Sequence, residues 1–202
     1  LLEANIEHSI AMAGSPARLR PHCKTHKLRE VAELALARGI VWHKCATLRE
    51  AEMLAEAGAR DVLLAYPCVG PLVERVAEFR ERNPEVRITV LADDPAAIDP
   101  LARAAARFPE PLGVMIDINT GMGRTGCEIE FTAPRLAADI ERSPELRFAG
   151  LHVYDGHINH TDLARRRAAV HELWERVAGL RAELAMFGLP VPEVTAGGTG
   201  TF

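Results

Sequence analysis

No apolar run in this chain of 202 residues approaches the ~20 residues that a bilayer-crossing helix requires. The N-terminus also lacks the basic stretch, apolar stretch and small-residue cleavage site of an export signal. A basic patch is missing as well. Against 28 Asp plus Glu there are 24 Lys plus Arg, a formal net charge of −4, so the electrostatic footprint of a nucleic-acid binder is absent. The four cysteines, Cys23, Cys45, Cys68 and Cys127, are far apart and form no C-x-x-C pair. That removes a structural zinc site and a disulfide framework and leaves free thiols in a reducing compartment. A cytoplasmic protein with no nucleic-acid partner and no membrane contact is expected.

What is present is ordinary globular composition, 48% hydrophobic and 26% charged residues, enough to fold around a core. Short apolar runs alternate with longer segments of helical period, the pattern of repeated βα units and a parallel sheet. Candidate strands are Leu19 to Lys24, Val41 to Cys45, Asp61 to Tyr66, Val86 to Leu91, Leu112 to Ile118, Phe148 to Tyr154 and Glu193 to Ala196. Helices are predicted near Leu28 to Arg38, Leu48 to Ala57, Leu72 to Arg82, Ala96 to Arg107, Ala133 to Arg142 and Asp162 to Phe187. Runs such as D-V-L-L-A-Y and L-G-V-M-I-D-I are apolar almost throughout, so both faces of those strands are expected to be buried.

Two architectures compete. A doubly wound dinucleotide-binding sheet calls for G-x-G-x-x-G after its first strand, where this chain reads H-C-K-T-H-K. A (β/α)8 barrel of the TIM type takes about 200 to 250 residues and one strand more than the seven candidates. The α/β barrel is therefore the expected fold, with residues 1–202 as one barrel domain. Leu1 to Gly14 reads as the middle of an amphipathic helix, and Gly-Gly-Thr-Gly-Thr-Phe stops straight after a strand. The expectation is a barrel truncated at both ends.

Barrel active sites are built from the loops at the C-terminal ends of the strands. Lys24, in R-P-H-C-K-T-H-K, ends the first apolar run, where desolvation and neighbouring cations make an amine nucleophilic; taken alone it is a solvated charge. The segment T-A-G-G-T-G-T, Thr195 to Thr201, offers consecutive backbone N–H groups to an anion, and barrels commonly hold phosphate after strands seven and eight. Together, a strand-end lysine and a glycine-rich phosphate loop suggest pyridoxal phosphate bound as a lysine Schiff base. D-I-N-T-G-M-G-R-T-G frames a tight loop presenting Arg124, and G-L-H-V-Y-D-G-H offers Tyr154, Asp155 and His157. The spacings of His22, His26, His152, His157 and His160 suggest no local metal site. Cys23 and Cys45 read as small buried apolar residues, and Glu50 and Glu52 as a solvated helix face.

R-P-H-C-K-T-H-K, the stretch from Lys44 to Tyr66, N-T-G-M-G-R-T-G and Y-D-G-H occur in one order, and together they resemble the D-threonine aldolase and D-serine dehydratase family, related to the N-terminal barrel of alanine racemases. The resemblance implies a fold-type III pyridoxal-phosphate barrel followed by a β-rich C-terminal domain that lies outside this chain. It implies that Lys24 forms the Schiff base with the cofactor, that Tyr154 lies near the pyridine nitrogen, and that Arg124 is an active-site arginine. It places the phosphate on Gly197, Gly198, Thr199, Gly200 and Thr201. It further implies a divalent metal, Mn or Zn, held by ligands outside this chain, and a homodimer.

The activity so implied is a PLP-dependent lyase acting on a β-hydroxy-D-amino acid. Retro-aldol cleavage to glycine and an aldehyde is the leading expectation. D-serine dehydration to pyruvate and ammonia is the alternative, and a non-catalytic pyridoxal-phosphate-binding barrel a further one.

Overall fold

The computed structural model describes residues 1–202. Helices and strands alternate along the chain: α1 (Leu2–Ala13), α2 (Arg29–Leu36), β1 (Trp42–Cys45), α3 (Leu48–Glu56), β2 (Asp61–Pro67), α4 (Pro71–Arg82), β3 (Arg87–Ala92), α5 (Ile98–Ala105), β4 (Leu112–Asp117), α6 (Thr132–Glu141), β5 (Leu146–Val153), α7 (Leu163–Met186) and β6 (Val194–Ala196). The strand order follows the chain order, β1 to β6, and β1–β2, β4–β5 and β5–β6 pair in parallel. This is the topology expected of a (β/α) barrel, with six strands where the sequence offers seven candidates. No helix is long and apolar enough to cross a membrane.

The missing strand is Leu19 to Lys24. Pro16–Arg18 and Cys23–Thr25 are 3-10 turns, and only an isolated bridge between His22 and Lys44 survives of the expected pairing. Pro21 has no N–H to give a ladder; its carbonyl accepts from Lys44 N–H at 2.9 Å. The His22 Nδ1 atom then accepts from Lys24 N–H at 3.2 Å, turning the backbone out of extension.

Residues 1–66 and 70–90 form one compact unit, and residues 67–69 and 91–202 a second. The first has its core in Ala51, Leu54, Val62, Leu63, Leu64 and Phe79, all fully buried. At the start of β2 the buried Asp61 carboxylate is shared by Arg20, at 2.7 Å, and Arg87. Thr47 caps α3 by accepting Glu50 N–H at 3.2 Å.

In the second unit every residue of β4 is buried, as the apolar run predicts. Val114, Ile116, Leu136, Ile140, Leu151 and Leu184 fill its core. The β4–β5 ladder slips by one residue: Val114 faces Phe148 and Met115 faces Gly150, leaving Ala149 without a partner. Gly150 has φ +127, and a Cβ there would run into the Glu193 carbonyl, so this bulge requires glycine. Asp162 starts α7 by accepting Arg165 N–H at 2.8 Å.

Candidate active site

In the first unit, the turn after Pro21 projects Lys24, whose side chain is exposed. The turn is tight: His26 and Lys27 N–H both donate to the Cys23 carbonyl, at 3.1 and 2.8 Å, and Lys27 takes the left-handed conformation, φ +50, uncommon outside glycine. Glu50 holds this turn from beneath. Only 6% exposed, it is not on the solvated face expected for it: α3 starts by pointing Glu50 back toward the chain that precedes it. Its carboxylate accepts Ala46 N–H at 2.7 Å, takes the Cys23 thiol at 3.9 Å and pairs with Lys27 Nζ at 3.5 Å.

His22, Cys23 and Glu50 bring potential ligand atoms within 4.8 Å of one another, a cluster that sequence spacing does not reveal. In the metal-free chain, burial, followed by the Glu50 charge, pushes the Cys23 thiol up to about 12, and the Cys23–Glu50 hydrogen bond with the Glu50–Lys27 ion pair makes the cluster the support of the lysine turn.

The second unit gathers Arg124, Tyr154 and the glycine-rich turn around the exit of β5. Asn119 Oδ1 accepts the N–H groups of Gly121 and Gly123, at 3.0 and 3.1 Å, folding the loop that carries Arg124. Gly126 N–H donates to Asp93 Oδ2 at 2.9 Å. Arg124 stands with its guanidinium 5.4 Å from the Tyr154 ring centroid, a cation–π contact, and the Thr120 hydroxyl donates to the Tyr154 carbonyl at 2.7 Å.

Gly156 gives room to the Tyr154 hydroxyl, which occupies the space a Cβ would need. The next residue back, Asp155, is 3% exposed and its Oδ1 accepts from the Thr201 hydroxyl at 2.9 Å. Thr201 in turn accepts Gly198 N–H at 3.0 Å. Thr201 and Phe202 N–H both donate to the Gly198 carbonyl at 3.1 Å, so residues 198–202 form a single helical turn. Added Cβ atoms would lie 3.1 Å from Asp155 Oδ1 at Gly198 and 2.6 Å from the Ile158 carbonyl at Gly200. The turn therefore packs backbone to backbone on the β5 exit.

Of the residues singled out in the sequence, Arg124, Tyr154 and Gly197 to Thr201 thus share one assembly, and Lys24 belongs to the other unit. Glu50 and Asp155 are structural partners that sequence reasoning left without a role. Asp155 lies inside Y-D-G-H, where a carboxylate ending an apolar strand was the available signal.

The chain matches the family described as alanine racemase, N-terminal domain, over residues 1–202. It belongs to that family. Among family relatives, 3-hydroxy-D-aspartate aldolase of Paracoccus denitrificans is 32% identical over 192 residues, 92% of this chain and 48% of the relative. The D-threo-3-hydroxyaspartate dehydratase of a Delftia species is 31% identical, over 94% of this chain and 50% of the relative. The crystal structure of D-threonine aldolase from Filomicrobium marinum superimposes with a TM-score of 0.91 at 34% identity, over 98% of this chain and 54% of that one. The chain spans about half the length of the curated relatives it matches.

Proposed function

We propose that this chain is the cofactor-binding barrel of a pyridoxal-phosphate-dependent lyase that cleaves a β-hydroxy-D-amino acid to glycine and an aldehyde, as a D-threonine aldolase does. The observation that carries the proposal is the assembly of Arg124, the Tyr154 ring and the Gly197 to Thr201 turn on the β5 exit, in a chain similar along its length to a D-threonine aldolase.

The residues present fit pyridoxal phosphate. Its phosphate calls for backbone N–H groups with no side chain in the way. At Gly197, φ +94, the space a Cβ would take is open, and glycine at 198 and 200 lets the turn lie against the backbone of residues 156–159. Its aldehyde calls for an accessible primary amine, which the exposed Lys24 offers. Pyridoxal phosphate supplies an electron sink for the pair released when a bond at the substrate Cα breaks.

The chain's own residues do the rest of the work in this reading. Lys24 Nζ would hold the group; cleavage to glycine and an aldehyde takes its proton from the β-hydroxyl, and in the dehydration reading Lys24 would be the base for the Cα proton. The glycine turn takes the phosphate. Tyr154 would lie beside the pyridine nitrogen, as the family resemblance implies, its ring steadied by the Arg124 guanidinium. A divalent metal, Mn or Zn, belongs to the proposal with ligands outside residues 1–202, as do a cytoplasmic location and a homodimer. Dehydration of D-serine or 3-hydroxy-D-aspartate is a second reading, favoured by the 31% identity to the Delftia dehydratase.

The test is made on the intact protein. Its absorbance with pyridoxal phosphate is recorded, and products from D-threonine and D-serine are identified with and without Mn²⁺ or Zn²⁺. Glycine plus acetaldehyde is expected. Pyruvate plus ammonia from D-serine supports the dehydratase, and a bound chromophore with neither product leaves a binding protein without turnover. Lys24→Ala is expected to lose both the chromophore and turnover; full activity in that variant overturns the assignment.

A further inference from the structure

β4 and β5 each contribute one buried ionisable side chain to an otherwise apolar pairing. Asp117 and His152 are ladder partners, so their side chains leave the same face, and they are 4% and 5% exposed. His152 Nδ1 lies 2.7 Å from Asp117 Oδ1. A buried charge is costly unless fully hydrogen-bonded, and an apolar pair of similar volume often serves a core equally well. The strand residues that share their face are Met115, buried, and its ladder partner Gly150, neither of them ionisable; the loop that follows β4 gives a reason for the pair.

The second carboxylate oxygen, Asp117 Oδ2, accepts from the Thr125 hydroxyl at 2.7 Å. The Asp117 carbonyl accepts Cys127 N–H at 2.9 Å, and Asn119 N–H donates back to Cys127 O at 3.0 Å. The loop from Ile118 to Cys127 thus closes at its base on Asp117 and is pinned nearer its tip by the same residue's side chain. Thr125 adjoins Arg124. On the β5 side, Ile118 N–H donates to the His152 carbonyl at 2.9 Å, and two residues further on Tyr154 receives Thr120.

We propose that Asp117 and His152 are a positioning pair: anchored on β5 by His152, the Asp117 carboxylate grips Thr125 and so fixes where Arg124 stands against Tyr154. Arg124 is a long, exposed side chain, and its place depends on its loop. The link of this pair to the cofactor rests on the pyridoxal-phosphate reading above; the link to the loop does not.

Two measurements on the intact protein test it. In Thr125→Val, which keeps the shape and removes the hydroxyl, the dissociation constant for pyridoxal phosphate, read by absorbance titration, is expected to rise about tenfold, the scale of a lost hydrogen bond to a charged group. Thr125→Ser restores the hydroxyl and is expected to return it to within about twofold of wild type. In Asp117→Asn, tryptic cleavage after Arg124, followed by mass spectrometry, is expected to quicken about tenfold. Cleavage at the wild-type rate overturns the grip on the loop, and a Thr125→Val dissociation constant equal to wild type overturns its effect at the cofactor site. A wild-type protein that takes up no pyridoxal phosphate defeats the functional reading, and the cleavage rates then still judge the pair.

Discussion

Tyr154 carries two separable interactions. Its ring receives the Arg124 guanidinium, and its hydroxyl fills the space left by Gly156. Phenylalanine keeps the first, since a cation–π contact needs only the ring face, and loses the second. Tyr154→Phe is therefore expected to retain bound cofactor and lose about three- to tenfold in kcat, the scale of one hydrogen bond; steady-state kinetics beside an absorbance spectrum checks it. Unchanged kinetics removes the hydroxyl from the reaction. Tyr154 and Arg124 were legible because each stands in a run that breaks an apolar strand. Glu50 was not. Its partner Cys23 lies 27 positions away, and helical periodicity reports only which residues share a face, not what the chain before the helix folds against. The Asp117 carboxylate closes L-G-V-M-I-D, so its oddity was visible in the sequence, although the hydroxyl and imidazole it serves were not.

The Arg124 loop tests how much of an element depends on glycine. At Gly126, φ is +99 and a Cβ would lie 2.5 Å from Asn119 N and 2.6 Å from the Ile118 carbonyl carbon. At Gly123 φ is +63 with nothing within 4 Å. Gly126→Ala is expected to destabilise the protein by about 2 kcal/mol or more, since strain and a backbone clash add. Gly123→Ala costs about 1 kcal/mol, the left-handed penalty alone. Urea unfolding of both variants measures the difference, and equal costs contradict the close approach at Gly126. At this scale every helix and all six strands were legible, with one strand candidate too many, because period 3.6 and unbroken apolar runs survive tertiary context. Leu19 to Lys24 failed for a local reason: it contains Pro21, and His22 bonds its own neighbour's N–H.

Across the molecule all four cysteines are free and buried. Burial raises the Cys68 thiol from 9.0 to about 12. The folded state thus keeps a proton that the unfolded chain releases from about pH 9 upward. This contribution to stability is full below that pH and declines as pH rises toward 12, by at most about 1.4 kcal/mol per pH unit. Urea unfolding at pH 8 and pH 10 is expected to show a smaller loss in Cys68→Ala than in wild type; equal losses show that this thiol does not couple to folding. The same burial predicts that no thiol reacts with a bulky disulfide reagent until the chain unfolds.

The unpartnered Ala149 acts as a one-letter frameshift within a strand. Upstream of it, Phe148 shares a face with Val114; downstream, Gly150 shares one with Met115. Neighbouring strand residues point oppositely, so even-numbered residues before and after the shift look in opposite directions. Phe148 and His152 carry numbers of the same parity yet address different sides of the sheet. Excising Ala149 leaves both halves in phase with β4, whereas excising Leu151 cannot keep both Gly150 and His152 in their present frame. The length of this strand is thus set as much by which side it must address at each end as by the distance it spans.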